Sequence, residues 1–465
     1  MAEKFGLENL SEDLLLRILI LTDIYTVLTI SQVNTFFHAI ASTKQLWLLL
    51  TKDLFLRGLV DIHSDEVNSS LSSDELIAQV KRAVYGPRTW SPDSPTAPTL
   101  IQQFTVEVAN NRIHFASLLP GYIIFRKQEI GALECYNLST GHLVWNWARS
   151  GFVALETDFS VCRGHKVTVF LTMLEQASTD AWLEILDVDL ESGHSHELLQ
   201  FHFTSIDGIP WRFRDPQCAE DYLGCIMGTC GNNPSDSIWM PFLINLRTEQ
   251  YIFFDCGFSL KDKFYVIPGY ILLVSPRSEP FSVRTPSISS FEGLWKPLSD
   301  FTLEHATSES TIAPSIIPIT GAVGPRDKDT YGWFQVEVFL TESLLRRNTY
   351  LLRIFDTVAY SGVLETVTTA SIHRLDLSEQ TPKCTLLSAF AQSTAGGMVG
   401  VRAVTRAGYN VFSWSKEGVH LVRQDDGEAT FINFDGTRRV RQATLPHNGG
   451  LVVLRKTHAE ILYYD

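Results

Sequence analysis

The stretch LLLRILILTDIYTVLTI, residues 14–30, is a dense apolar run that must be covered by something. A membrane-spanning helix needs about 20 mostly apolar residues, and a charged residue at the bilayer centre costs about 2.5–3.5 kcal/mol. This run contains Arg17 and Asp23. The first 13 residues hold four acids and one lysine, whereas a secretory leader begins with positive charge. We therefore expect buried helices here, and neither a leader nor a membrane anchor.

Three N-cap residues divide this region into predicted helices: Ser11, Asp23 and Thr43, with the third helix ending near Gly58. Apolar residues at spacings of three and four give each helix an inner face. These faces comprise Leu14, Leu15, Ile18 and Leu19; Val27, Ile30, Val33, Phe37 and Ile40; and Leu46, Trp47, Leu50 and Leu54. A module of about 50 residues buries too little surface to be stable alone, so we expect it to contact another domain or protein.

The segment from residue 5 to about residue 57 resembles an F-box. It contains the phrases of that family in order, namely Leu10-Ser11, LLLRIL (14–19), Asp23, SQVN (31–34) and Leu46-Trp47. Two positions depart from the family: Ser11 replaces the usual proline, and Asn34 replaces the usual cysteine. An asparagine at this place is expected to be a buried polar group that needs a partner.

The resemblance implies that the module docks on the Skp-type linker subunit of a cullin–RING ubiquitin ligase. The residues it assigns to this contact are Leu10, Ser11, Leu14, Leu15, Ile18, Leu19, Val33 and Trp47. The alternative is a three-helix packing module with the same leucines inside.

A further helix is predicted at SSDELIAQVKRAVYG (72–86), where Ser72 and Glu75 form a capping-box pattern and Gly86-Pro87 ends the helix. The next segment, RTWSPDSPTAPTL (88–100), contains three prolines and is interpreted as an extended, fairly stiff linker. The predicted domains are the F-box (1–60), the connecting helix and linker (61–99), and a β-rich domain (100–465).

From residue 100 onward, short apolar or alternating runs lie between turn residues and indicate strands. A weak repeat is visible in NLSTG (137–141), DLESG (189–193), NLRTE (245–249) and DLSEQ (376–380); the first three begin 52 and 56 residues apart (189 − 137 and 245 − 189). The phrase ALECYNLSTGHLVW resembles the outer hairpin of a propeller blade. At 52 residues a unit, the 366 residues from 100 to 465 give seven units. We predict a seven-bladed, degenerate WD-repeat-like β-propeller; six or eight blades, or a pair of β-sandwiches, are the alternatives.

Composition argues against several functions. The net charge is −14, which disfavours a phosphate backbone as the primary ligand. The seven cysteines include no C-x-x-C pair, which indicates reduced thiols in the cytoplasm or nucleus. The loop GCIMGTCGNNPSDS (224–237) lacks a P-loop lysine, and neither H-E-x-x-H nor G-x-S-x-G occurs. We expect no metal, no cofactor and no catalysis by the chain itself.

The expected function is substrate recruitment to an SCF-type ligase, with the F-box on the linker subunit and the propeller on an unknown target protein. Candidate target-binding residues, expected in loops, are Trp211, Arg212, Arg214, Trp295 and Trp333. The alternative for each tryptophan is packing within its own blade. Two other functions are considered: a propeller hydrolase with a metal or carboxylate site in its channel, and an F-box scaffold that acts without the ligase.

Overall fold

The structure is a computed structural model of the 465-residue chain. The residues that it describes are 7–60, 70–91, 93–108, 113–127, 131–162, 165–178, 180–205, 209, 211–229, 239–255, 262–275, 282–301, 310–311, 316–318, 331–360, 365–377, 382–395, 404–414, 418–423, 429–433, 442–444, 450–455 and 457–465.

The N-terminal region is helical. A 3-10 helix at Leu7–Asn9 precedes four α-helices and, after residues 61–69, a further one: α1 (Glu12–Leu21), α2 (Ile24–Ser31), α3 (Thr35–Ala41), α4 (Lys44–Leu56) and α5 (Ser73–Tyr85). In α5 both halves of the predicted capping box form between Ser72 and Glu75. None of the described helices is long and apolar enough to cross a bilayer.

The prediction of three helices before residue 60 is wrong, because the second predicted helix is two helices, α2 and α3. Asn34 is responsible: its side-chain oxygen accepts a hydrogen bond from the Phe37 backbone N–H at 2.8 Å and begins α3. Asparagine prefers this capping role to a helix interior. Asn34 is therefore an exposed cap and not a buried polar group, and Val33 beside it is 65% exposed.

Apart from one short parallel pair, the strands pair antiparallel, and each sheet is built mainly from strands that are consecutive in the chain. Sheet 1 contains β2 (Ile113–Leu119), β3 (Tyr122–Lys127), β4 (Leu133–Asn137) and β5 (Leu143–Trp147). Sheet 2 contains β6 (Phe152–Cys162), β7 (Lys166–Glu175), β8 (Ala181–Asp189) and β9 (His194–Phe203). Sheet 3 contains β10 (Trp211–Ala219), β11 (Tyr222–Thr229), β12 (Trp239–Asn245), β13 (Gln250–Asp255) and the short β17 (Lys296–Pro297), with β18 (Ser310–Thr311) pairing parallel to β13.

Sheet 4 contains β14 (Lys263–Ile267), β15 (Tyr270–Ser275), β16 (Ser282–Arg284) and β19 (Ile316–Pro318). Sheet 5 contains β20 (Tyr331–Glu342), β21 (Thr349–Tyr360), β22 (Glu365–Asp376) and β23 (Lys383–Ala395). Sheet 6 contains β24 (Tyr409–Trp414), β25 (Gly418–Arg423) and β26 (Ala429–Asn433). Sheet 7 joins both ends of the domain: β27 (Gln442–Thr444), β28 (Leu451–Leu454), β29 (His458–Tyr464) and β1 (Leu100–Glu107).

Apolar clusters between successive sheets close these sheets into a ring. Phe170 and Phe242, for example, lie in the cluster between sheets 2 and 3, and Val419 and Leu462 lie in the one between sheets 6 and 7. Phe125 and Ile461 join sheet 7 back to sheet 1. The pairing of β1 with β29 closes the ring with hydrogen bonds and protects its edges. The domain is a β-propeller.

The blade count differs from the prediction of seven four-stranded blades. Six sheets have at least four strands among the described residues, and sheet 6 has three. The chain around sheet 6 includes residues 415–417, 424–428 and 434–441, which lie outside the described residues. The structure thus shows six complete blades and a three-stranded sheet in the same ring.

The segment after α5 is folded onto the propeller and is not a free linker. A 3-10 helix at Arg88–Trp90 places the Trp90 ring, fully buried, in the cluster between sheets 6 and 7. The Thr89 backbone N–H donates to the Asp465 carbonyl at 2.7 Å, and the Thr430 hydroxyl donates to the Trp90 carbonyl at 2.6 Å. Prolines in the sequence predicted stiffness, but the burial of an indole ring decides where the segment lies.

Candidate functional site

The helices pack on one hairpin of the propeller. Strands β20 and β21 are longer than those of most other blades, and the turn between them (343–348) reaches the helical core. Leu344 in this turn is 7% exposed and belongs to the same apolar cluster as Leu15, Leu19 and Trp47. We call residues 7–60 with α5 the helical block. Its core is completed by the propeller.

Polar contacts fix the same junction. The Tyr25 backbone N–H donates to the Leu345 carbonyl at 2.9 Å, and the Arg346 guanidinium lies 3.8 Å from the centre of the Tyr25 ring. Arg57 pairs with Glu342 on β20. Burial lowers the pKa of Arg57, but the Glu342 and Asp53 carboxylates together more than offset this, and the pKa is raised overall. The helical block is therefore held in one orientation by apolar, hydrogen-bonding and ionic contacts together.

The residues predicted to bind the linker subunit separate into a buried and an exposed set. Leu15, Leu19 and Trp47 are 2–3% exposed and form the block's own core. The Trp47 indole N–H donates to the Ala41 carbonyl at 2.7 Å, which satisfies the polar atom of a buried ring. Leu10 packs half-buried against the same core.

The exposed set is Ser11, Leu14, Ile18 and Val33, of which Leu14 is 49% exposed and Ile18 41%. Further apolar side chains that the sequence analysis did not assign are exposed on α1–α3: Leu21, Leu28 and Phe36. The spacing of Leu21 from Leu14 and Ile18 was a usable signal, because positions i, i+4 and i+7 share a helix face. We call Leu14, Ile18, Leu21, Leu28, Val33 and Phe36 the α1–α3 apolar surface.

The predicted target-binding residues do not form one surface among the described residues. Trp211 is not in a loop: it begins β10 and is buried between sheets 2 and 3, because large aromatic rings fill the space between propeller blades. Trp295 is half-buried, with its ring centre 6.2 Å from that of Tyr222. Trp333 lies on β20, and its side chain is outside the described residues.

Arg212 and Arg214, the other two candidates, lie half-buried on β10 beside an irregularity in that strand. The pairing register shifts between Arg214 and Gln217, and Asp215 has a φ of 48°. Carboxylates from β6 accept the amide hydrogens at this irregularity: Glu156 bonds the Asp215 N–H and Asp158 bonds the Cys218 N–H, both at 2.8 Å. Burial raises the pKa of Asp158 to about 6. These two carboxylates of blade 2 thus hold the backbone of the neighbouring blade 3.

One group of side chains on blade 2 could hold a metal ion: Glu175, Asp180 and His202, whose ligand atoms lie within 4.8 Å of one another. All three already have partners. The His202 Nε2 lies 3.0 Å from Asp180, the Glu175 carboxylate accepts from the Ser178 hydroxyl, and the Ser205 N–H donates to Asp180. The His202 ring also stacks on Trp182. These contacts explain why the three side chains lie together: they form a hydrogen-bonded cluster on blade 2.

Comparison with family models found no match, and comparison with curated proteins found none either. Among solved structures, the chain is similar to the WD40 domain of SCAP from fission yeast (9% identity, 80% of this chain and 97% of that chain, TM-score 0.36). It is also similar to the β-propeller domain of Cps50 (Swd1) from Myceliophthora thermophila (9%, 79% and 99%, TM-score 0.40) and to streptogramin B lyase (9%, 79% and 98%, TM-score 0.34). The assignment of a propeller rests on the strand pairing and ring closure described above.

Proposed function

We propose that this chain is the substrate-recruiting adaptor of an SCF-type cullin–RING ubiquitin ligase. The helical block docks on the Skp-type linker subunit, and the propeller carries a target protein. The chain makes and breaks no bonds itself: it raises the local concentration of the target's lysines near the ubiquitin-charged enzyme.

The α1–α3 apolar surface carries this proposal. Six large apolar side chains remain 37–75% exposed, five on α1–α3 and Val33 between α2 and α3, although a propeller packs against the same block. A concentration of exposed apolar residues of this kind is typical of a surface that is covered by a partner. The resemblance of residues 5–57 to an F-box supports the ligase linker as that partner.

The junction with the propeller supports the second half of the proposal. An adaptor that positions a target needs a defined orientation between its two docking surfaces. The hairpin at 343–348 and the Arg57–Glu342 pair supply this by attaching the block to blade 5 at several points.

Binding of the full-length chain to a purified Skp-type linker subunit, followed by calorimetry, tests the proposal. We expect Leu14→Asp with Ile18→Asp to weaken binding by at least about tenfold, because two charges would be desolvated at a buried interface. Both side chains are 41–49% exposed and lie outside the buried core of the block, so folding should survive the change.

The matched control is Leu143→Asp with Leu198→Asp, which places the same two charges at exposed leucines on propeller blades 1 and 2. It should bind the linker subunit like the wild type. If the L14D/I18D variant keeps its melting temperature and binds with unchanged affinity, the docking proposal is refuted. Linker binding without co-migration of the cullin would instead favour the ligase-independent scaffold.

A further inference from the structure

A large cleft separates α5 from the rim of the propeller near sheets 6 and 7. Its volume is about 980 Å³. One wall consists of Leu71 and the α5 residues between Glu75 and Tyr85, and the other includes Tyr409 on β24 and Arg423 at the end of β25. The target-binding residues chosen from the sequence lie elsewhere. Volumes of this order accommodate small molecules or several side chains of a bound peptide.

Gly86 brings the two walls together at the base of the cleft. Its φ is 79°, and a Cβ built there would lie 2.7 Å from the Tyr409 ring. A residue without a side chain is needed both for this backbone conformation and for this approach. Trp90, four residues later, is buried between sheets 6 and 7, and the Thr89 backbone N–H donates to the Asp465 carbonyl. The cleft is therefore a built feature of the fold.

The lining combines positive charge with apolar surface. Lys81, Arg82, Arg88 and Arg423 are the four bases of the lining, against two acids, Glu75 and Asp465. Glu75 accepts from the Ser72 N–H and hydroxyl in the α5 capping box, and Asp465 pairs with Arg88 at 3.0 Å. The chain as a whole has a net charge of −14, so a lining with four bases and two acids is a local reversal of sign. Such a reversal attracts acidic ligands.

The apolar part of the lining includes Leu71, Val84 and Tyr85, and the Tyr85 side chain is 71% exposed. An exposed aromatic ring beside aliphatic side chains and basic groups suits a peptide, which offers apolar and acidic side chains together.

We infer that this cleft binds an acidic peptide segment of another protein, with its carboxylates on the basic rim and an apolar side chain between Leu71, Val84 and Tyr85. That this protein is the target for ubiquitination rests on the proposed function. The binding of the peptide does not, since the α1–α3 apolar surface takes no part in it.

Selection of displayed random peptides on the immobilised full-length chain, followed by fluorescence anisotropy with the enriched sequences, tests this inference. We expect the enriched peptides to combine Asp or Glu with a large apolar residue, and to bind less tightly as salt is raised. Lys81→Glu with Arg88→Glu should weaken their binding by about tenfold or more. Both side chains are exposed, so the melting temperature should change little.

The control for net charge is Lys166→Glu with Arg247→Glu, at exposed positions on blades 2 and 3, and it should bind the peptides like the wild type. The L14D/I18D variant should also retain full peptide binding, which separates this inference from the docking of the linker. No enriched peptides, enriched peptides without acidic residues, or equal binding by the K81E/R88E variant would each overturn it.

Discussion

His373 shows how a single buried residue links the stability of the propeller to pH. It lies on β22 inside blade 5, is 1% exposed, and its Nε2 is 3.0 Å from the Ser371 hydroxyl oxygen. Burial lowers the pKa of His373 from 6.5 to about 4. In the unfolded chain the same imidazole is exposed to water and keeps its ordinary pKa.

The sign of the pH effect follows directly. Above pH 6.5 the imidazole is neutral in both states and its contribution to folding is complete. As pH falls from 6.5 towards 4, the unfolded chain binds a proton that the folded chain does not, so the free energy of unfolding decreases. The loss approaches about 3 kcal/mol, since each pKa unit corresponds to about 1.4 kcal/mol.

In a His373→Asn variant, the free energy of unfolding should decrease less between pH 6.5 and pH 4, because this variant has no imidazole at position 373 to protonate in the unfolded state. Urea unfolding at pH values from 7 to 4 measures the slope. His142→Asn, at an exposed turn position, is the control and should keep the wild-type slope. If the free energy of unfolding of the H373N variant falls with pH as steeply as that of the wild type, other groups cause the acid sensitivity.

The three predicted N-caps had different outcomes. Ser11 and Thr43 occupy the N-cap positions of α1 and α4, but their side chains make no capping hydrogen bond. Asp23 caps α2 as predicted, with its carboxylate accepting from the Thr26 N–H at 2.7 Å, because a cap depends only on the next three residues. The role of Trp211 depends on two neighbouring sheets, and the sequence alone did not show which residues these sheets would bring to it.

At the scale of elements, the weak repeat in the sequence marks one type of hairpin. NLSTG, DLESG and NLRTE each connect the third and fourth strands of a blade, and the strand pairings confirm the outer hairpins that were predicted there. The first residue accepts turn amides: Asn137 from Thr140, Asp189 from Glu191 and Ser192, and Asn245 from Arg247 and Thr248. This is the short-range bond that makes Asn and Asp common in turns.

The fifth residue of each motif has a positive φ, which explains why two of these three turns end in glycine. Gly141 and Gly193 have φ values of 67° and 73°, and Glu249 has a φ of 51° at the equivalent place. A side chain in this left-handed region costs about 1–2 kcal/mol relative to the right-handed one. Blade 3 therefore contains a strained residue where blades 1 and 2 have glycine.

Glu249→Gly should raise the free energy of unfolding, by up to about 1 kcal/mol, because relief of the left-handed strain exceeds the added freedom of glycine in the unfolded chain. Thermal and urea unfolding measure the change. Arg247→Gly in the same exposed turn has no positive φ to relieve and should be neutral or destabilising. A loss of stability in the E249G variant comparable with that of R247G would contradict the strain argument.

The repeat predicted the class of the β domain better than its blade count. Spacing counts units only if every unit has the same length, and the strands of blade 5 have 12 or 13 residues, whereas those of blade 1 have 5 to 7. Sheet 6 has three described strands instead of four. Blades of unequal length can keep the same hairpin residues, because the hydrogen bonds of a turn are local. They cannot keep a constant spacing between successive hairpins along the sequence.

At the scale of the whole molecule, the helical block and the propeller share one apolar core. The sequence predicts that the excess apolar surface of the helices is covered by another domain or by another protein. The structure shows the first of these at Leu344, while the α1–α3 apolar surface stays exposed. The contact joins residues about 300 positions apart, for instance Tyr25 and Leu345, and no local pattern in either segment indicates the pairing.

The junction leads to a prediction about cooperativity. Leu344→Asp places a charge in the shared core and should destabilise the block by several kcal/mol, because an unpaired buried charge has no solvation there. The propeller is held by its own inter-blade clusters, so the block should open separately. Hydrogen exchange should show that α1–α4 lose protection while sheets 1–4 keep it. Calorimetry should show a second unfolding transition at a lower temperature.

Leu386→Asp, at an exposed position on β23 of the same blade, is the control and should leave both measurements unchanged. If α1–α4 keep wild-type protection in the L344D variant, the block is stable without the hairpin, and the contact merely orients it.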